Sequence, residues 1–228
     1  MFRDLEQETW RDIIRSLEKL VNIYEIGNNI VSLFTISLCR LLALKNILDD
    51  RGLILEIGPG SGHFTKKLLG RSRNVICLEP SPFLANLLLE KFREALDIIL
   101  GVAERIPMRN ESIATIVCTF SFRDFFNKKT FLKEAYRCLE PGGYLIIVDT
   151  HGGSGVIKRV FIHYIDLIGR ILSKILRSQK NLLSGLNKSI LEMHDPLIYL
   201  YLGLKAGFRK GFLRKFLFNA AFILILQK

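Results

Sequence analysis

The sequence predicts an α/β domain, a mostly parallel sheet of seven strands covered by helices on both faces. Three observations carry this reading. Short, solid apolar runs alternate with stretches of helical period, and strands without polar alternation are those buried on both faces. The first such run, Leu53–Ile57, ends in the glycine turn Gly58-Pro59-Gly60-Ser61-Gly62, which joins a strand to a helix. The chain has 228 residues, 49% hydrophobic and 24% charged, which suits one such domain and excludes a disordered chain.

Apolar or aromatic residues at Phe2, Leu5, Trp10, Ile13, Ile14, Leu17 and Leu20 have helical spacing. Asn28 and Asn29 interrupt, and Ile30–Leu44 resumes as a second helix. Both precede the first strand, so residues 1–50 are expected to cap the domain. Residues 51–150 form the core: strand Leu53–Ile57, a helix over 62–70, strand Val75–Leu78 with Glu79 at its carboxyl end, and a helix over 82–95. Strand Ile98–Leu100, strand Thr115–Phe120, a helix Thr130–Leu139 stopped by Pro141-Gly142-Gly143, and strand Tyr144–Val148 follow. Residues 151–206 read as a helical insert, and 207–228 as a closing pair of strands turning at Asn219. In such a sheet the ligand sits at the carboxyl ends of the strands where strand order reverses. The glycine turn, Glu79 and the residues after Phe120 all fall there.

Charge is unevenly placed. The chain has 33 basic and 22 acidic residues, a net of +11. Residues 151–228 hold 13 basic and 3 acidic residues, a net of +10, which leaves +1 for the first 150. A local basic surface implies an anionic partner. The mean hydropathy of +0.25 is high for a soluble protein and points to a large core or to apolar surface meeting lipid. Cys39, Cys77, Cys118 and Cys138 lie in apolar contexts without C-x-x-C spacing, which predicts buried thiols in a cytoplasmic protein and no metal site. The charged start MFRDLEQETW does not read as a signal peptide, and no uncharged apolar run is long enough to span a bilayer.

A glycine turn at a helix N-terminus lets backbone N–H groups approach a ligand closely. An acid ending the second strand, Glu79, suits paired ribose hydroxyls. Together they imply a nucleoside ligand without choosing between a dinucleotide and S-adenosylmethionine. The spacing G-P-G-S-G differs from the dinucleotide G-x-G-x-x-G, and Pro59 is awkward beside a pyrophosphate. Glu56 would repel a diphosphate yet can pair with a methionine ammonium. Leu139-Glu140-Pro141-Gly142-Gly143 before a strand resembles the L-x-P-G-G turn of class I methyltransferases. S-adenosylmethionine is therefore the expected cofactor, on a Rossmann-like methyltransferase fold.

Further stretches resemble the ubiquinone and menaquinone C-methyltransferases. They are Ile23-Tyr24-Glu25-Ile26-Gly27-Asn28-Asn29, Gly101-Val102-Ala103-Glu104-Arg105-Ile106-Pro107-Met108, Ser121-Phe122-Arg123-Asp124-Phe125 and Ala206-Gly207-Phe208. The resemblance implies that Tyr24 reaches the cofactor from the cap. It also implies that Ala103 and Glu104 flank the adenine and that Arg123 faces the substrate. Gly58, Pro59, Gly60, Gly62, Glu56, Glu79, Pro80 and Thr119 complete the expected cofactor set. Val102 departs from the family's Asp or Asn beside the adenine, and Asp124 replaces its Asn.

C-methylation of an aromatic ring needs a neighbouring hydroxyl held as its phenolate. Arg123 is the candidate stabiliser of that oxyanion and Asp124 the candidate base; a plain surface ion pair between them is the alternative. His63, His151, His163 and His194 have no metal-ligand spacing with one another. Residues 156–180 have apolar positions at helical period with Lys158, Arg159, Arg170, Lys174 and Arg177 at the others. Such a helix reads as a peripheral contact with anionic membrane, at its inner face, or as a lid over the pocket. The expected substrate is a lipid-soluble quinol or a related small lipid. Other small molecules, RNA, and a non-catalytic cofactor-binding module are the alternatives. RNA is the weaker one, because the basic segment is aliphatic rather than interleaved with stacking aromatics.

Overall fold

A computed structural model describes residues 35–47, 52–72, 74–175, 183–217 and 219–228. The expected helix over 2–20, Tyr24, Arg177 and the rest of 176–180 lie outside these residues.

Seven strands form one sheet: β1 (Ile54–Ile57), β2 (Val75–Glu79), β3 (Asp97–Leu100), β4 (Ile113–Thr119), β5 (Leu139–Thr150), β6 (Lys210–Phe216) and β7 (Ala221–Gln227). Their order is β3-β2-β1-β4-β5-β7-β6. The first five run parallel, while β7 is antiparallel to both β5 and β6. Order reverses between β1 and β4, and that switch point opens a crevice at the carboxyl ends of the strands.

Helices cover both faces. On one lie α1 (Thr35–Lys45), α2 (His63–Leu69) and α3 (Pro82–Phe92), which bury Ala43, Phe64, Leu68 and Leu88 against Ile54, Val117 and Ile146. The other carries α4 (Lys128–Cys138), whose Phe131, Leu132 and Ala135 pack on Ile116, Leu145 and Leu224. Helix starts follow local capping rules: the Ser81 hydroxyl accepts from the Leu84 N–H at 3.2 Å with Pro82 at the first position, and Asn127 caps α4 through the Thr130 N–H at 2.7 Å.

Between β5 and β6 come α5 (Gly155–Ile175), α6 (Ser184–Glu192) and α7 (Pro196–Ala206). The first two share a small apolar cluster of their own. Helix α7, by contrast, packs on α4, β6 and β7 with Tyr199 fully buried among Phe122 and its neighbours. The final helix of the expected insert is thus part of the layer that covers the sheet.

The Pro141-Gly142-Gly143 turn does not itself stop a helix. Helix α4 ends at Cys138, Leu139 already pairs with Ile113, and the next pair is Tyr144 with Thr115. The turn is therefore a bulge within β5. A Cβ on Gly143 would stand 2.9 Å from the Ala114 carbonyl oxygen, so only glycine passes there. The N–H of Gly142 donates to the Lys228 carbonyl at 3.2 Å, which ties the bulge to the end of the closing strand. All four cysteines are buried and unpaired.

Candidate active site

The glycine loop is shaped from both sides. Gly58, at φ +64°, donates its N–H to the Leu78 carbonyl at 2.9 Å, while the Ser121 hydroxyl donates to the Ile57 carbonyl at 2.7 Å. A Cβ on Gly58 would fall 2.6 Å from the Ser121 Cβ. The ends of β1, β2 and β4 are thereby held at one point. Gly60, at φ +58°, has no protein atom within 4 Å of where its Cβ would be, so its open side faces free space. Gly62, at φ +79°, is the N-cap of α2.

Glu79, buried at the end of β2, receives the Gly60 N–H at 3.3 Å on one carboxylate oxygen and the Ser81 N–H at 3.1 Å on the other. Next along the rim come Val102, Ala103 and Glu104. The Glu104 carboxylate accepts the Asn127 N–H at 2.9 Å, and burial pushes its pKa up. Phe120, just past β4, has φ +61°, which a bulky residue adopts only when its surroundings compel it. Its N–H is held by the Val148 carbonyl at 2.8 Å. These residues, with Ser121, Asp124 and Phe125, line a cleft of about 730 Å³, its open mouth included.

Gly58, Gly60, Glu79, Pro80, Ala103, Glu104 and Asp124 therefore line one cleft. Pro59, Gly62 and Thr119 shape the surrounding backbone without lining it. Two expectations need correction. Glu56 points away from the cleft, because strand alternation sends it toward α2 while Leu55 and Ile57 face the other way. Its carboxylate accepts the Thr65 hydroxyl at 2.7 Å and burial pushes its pKa up to about 7, so it is engaged behind β1 and does not line the cleft. Arg123 does not face the cleft either, nor is it a surface ion pair. It is 3% exposed and bonds Asp149 at 2.8 Å, and its own N–H donates to the second Asp149 oxygen at 2.9 Å. Asp149, on β5, was not foreseen, since nothing near it in sequence marks it as a partner.

Asp124 lines the cleft at 8% exposure. Burial raises its pKa, while the Arg123 guanidinium, 3.8 Å away, pulls the other way. Lys128 lies beneath, donating to the carbonyls of Arg123 at 3.1 Å and Phe125 at 2.9 Å; burial lowers its pKa. Phe120 also lines the cleft, and with it Ser121, from the turn that the sequence places at the carboxyl ends of the strands.

The methyltransferase domain family matches residues 55–147, the span that builds this cleft. The chain has the class I methyltransferase fold, with a methyltransferase domain over residues 55–147. A demethylmenaquinone methyltransferase of Lactococcus lactis is 27% identical to this methyltransferase over 213 residues, which is 90% of this chain and 83% of that one. A ubiquinone/menaquinone C-methyltransferase of Blochmanniella floridana is 25% identical over 183 residues, 74% and 72% of the two chains. An uncharacterized methyltransferase-like protein of Schizosaccharomyces pombe is 33% identical over 103 residues, 45% of this chain. The chain spans only 40% of that relative's length. A solved methyltransferase structure from Thermotoga maritima shares the fold at 23% identity and a TM-score of 0.66, covering 94% of this chain and 99% of that one.

The cleft fits the cofactor of this class. The space over Gly60 is open, and the Glu79 carboxylate stands at the end of β2 where a ribose diol needs an acceptor.

Proposed function

We propose that this methyltransferase C-methylates a lipid-soluble quinol or a related small lipid. The observation that carries the reading is Asp124, a buried carboxyl facing the cleft between Phe120 and Phe125 and held above its ordinary pKa by burial. The 27% identity to a demethylmenaquinone methyltransferase over most of both chains supports the acceptor class. When bound, S-adenosylmethionine supplies an electrophilic methyl group on a sulfonium. Glu79 holds the ribose hydroxyls, the Gly58–Gly62 loop takes the methionine end, and Pro80, Ala103 and Glu104 enclose the adenine. Asp124 Oδ takes the proton of the acceptor hydroxyl, which leaves a phenolate whose neighbouring carbon is nucleophilic. Arg123, locked to Asp149, acts as a positioning residue for Asp124. The aromatic rings exclude water from the acceptor.

Alignment supplies much of such a transfer, and the base adds roughly 10²–10⁴-fold. Asp124→Asn should therefore lower kcat about 100-fold or more while leaving cofactor affinity unchanged. Because the acid is held above its ordinary pKa, activity should rise with pH through a range above that of an ordinary aspartate. The acceptor is tested with methyl-labelled S-adenosylmethionine and membrane lipid extract from a quinone-making organism. Label in the quinone fraction is the expected result. Label in another lipid removes the quinone reading, and no label with cofactor bound favours a binding module without turnover, for which Val102 speaks, since its side chain offers no acceptor to the adenine amino group.

We further propose that the protein works at the cytoplasmic face of a membrane. No helix among the described residues is long and apolar enough to cross one.

A further inference from the structure

Helix α5 carries two apolar stripes, and the fold uses only one. Phe161, Ile162, Ile165 and Leu172 face α6 in a cluster completed by Leu183 and Ile190. On the opposite side Val156, Val160, Leu167 and Ile171 are 65%, 62%, 57% and 45% exposed. Their spacing of four, seven and four residues sets them in one line along the helix. Arg159, Arg170 and Lys174 follow that line along one flank and at its end, all of them exposed. The sole acid of α5, Asp166, is paired with Arg170 at 2.8 Å.

A row of aliphatic side chains in water has a free-energy cost, and an adjoining row of cations selects what covers it. Nucleic acid would satisfy the cations but leave the aliphatic row wet. An anionic bilayer surface satisfies both, taking the aliphatic row below the headgroups and the cations among them. We infer that the outer stripe of α5 docks on an anionic lipid surface. This deepens the proposed function and rests on it only for the purpose of docking. The helix follows β5 through Gly152, Gly153 and Gly155, at φ +75°, +80° and +55°, where the chain leaves the carboxyl end of the sheet. Helix α6, packed beneath it, lies against the Phe122–Asp124 segment at the edge of the cleft. The docked helix is thus one helix away from the acid that lines the cleft.

The test uses the full chain with sedimentable vesicles of phosphatidylcholine, with and without phosphatidylglycerol, at low salt. The chain should sediment with the anionic vesicles and not with the neutral ones. The double variant R159Q/K174Q should bind about thirtyfold more weakly, at roughly one headgroup-zone cation each, and V160N/L167N should also lose most binding. Wild-type binding that ignores lipid charge overturns the inference. So does undiminished binding of either variant, or capture of an RNA oligonucleotide in preference to vesicles. Cofactor binding by calorimetry should be unchanged in both variants, which shows that they are folded. Methyl transfer to a detergent-dispersed acceptor is scored separately, so failure of docking and failure of the proposed chemistry are read apart.

Discussion

At the scale of single residues, buried charge is handled in two ways in this domain. Arg123 and Asp149 neutralise one another at 2.8 Å with both side chains out of solvent, an arrangement in which removing either partner strands the other and costs about 3–5 kcal/mol. Among the described residues, Glu56 has no cation at hydrogen-bond distance. It is 1% exposed, accepts from Thr65 and Cys77, and keeps its proton up to about pH 7 instead of the ordinary 4.5. Between those values the folded state binds a proton that the unfolded state has released. Stability contributed by this site is therefore present in full below 4.5 and is lost as pH rises through about 7, a change of about 3 kcal/mol. Glu56→Gln, which keeps an acceptor for Thr65, should remove that decline and make the variant the more stable form at alkaline pH. Urea unfolding on either side of neutrality reads it directly, and an equal pH slope in both proteins would sink the assignment.

At the scale of elements, the glycine loop separates folding from binding. Gly58 and Gly60 both have left-handed φ, yet a side chain on Gly58 meets Ser121 while one on Gly60 meets nothing in the protein. Gly60→Ala should cost only the backbone term, about 1–2 kcal/mol, but its methyl group would stand in the space over the loop and lower cofactor affinity at least about tenfold. Gly58→Ala should be the more destabilising change, since Ser121 must move and its bond to Ile57 moves with it. Melting temperature and calorimetric binding of S-adenosylmethionine, measured on both variants, test the pair. Equal melting losses in the two would refute the distinction.

At the scale of the whole molecule, the sheet and its two helical layers form large continuous cores, whereas α5 and α6 rest on a cluster whose buried members among the described residues are Ile165, Leu183 and Ile190. Local opening follows the density of buried apolar contact. Amide hydrogen exchange should therefore show α5 and α6 opening at lower free energy than β1, β4 and β5, with α7 protected like the sheet because Tyr199 and Gly203 pack into the main core. Protection of α5 equal to that of β4 would mean that the pair is welded to the domain.

The succession of strands along the chain, the glycine turn at their carboxyl ends, Glu79 after the second strand and the closing pair of strands were all legible in the sequence. Each of these is written in local terms: apolar runs with period, φ values that only glycine takes cheaply, capping residues beside prolines. What only the tertiary structure decided is where polar side chains find their partners. Glu56 and Arg123 looked like site residues in sequence because both sit beside the site along the chain. The face of β1 assigned the first to Thr65, and a strand 26 residues further on assigned the second to Asp149. The helical period of 156–175 likewise could not say that its apolar residues divide into an inner stripe and an outer one. That division depends on where α6 lies, and the position of a neighbour is set by the packing of the whole chain rather than by any local pattern.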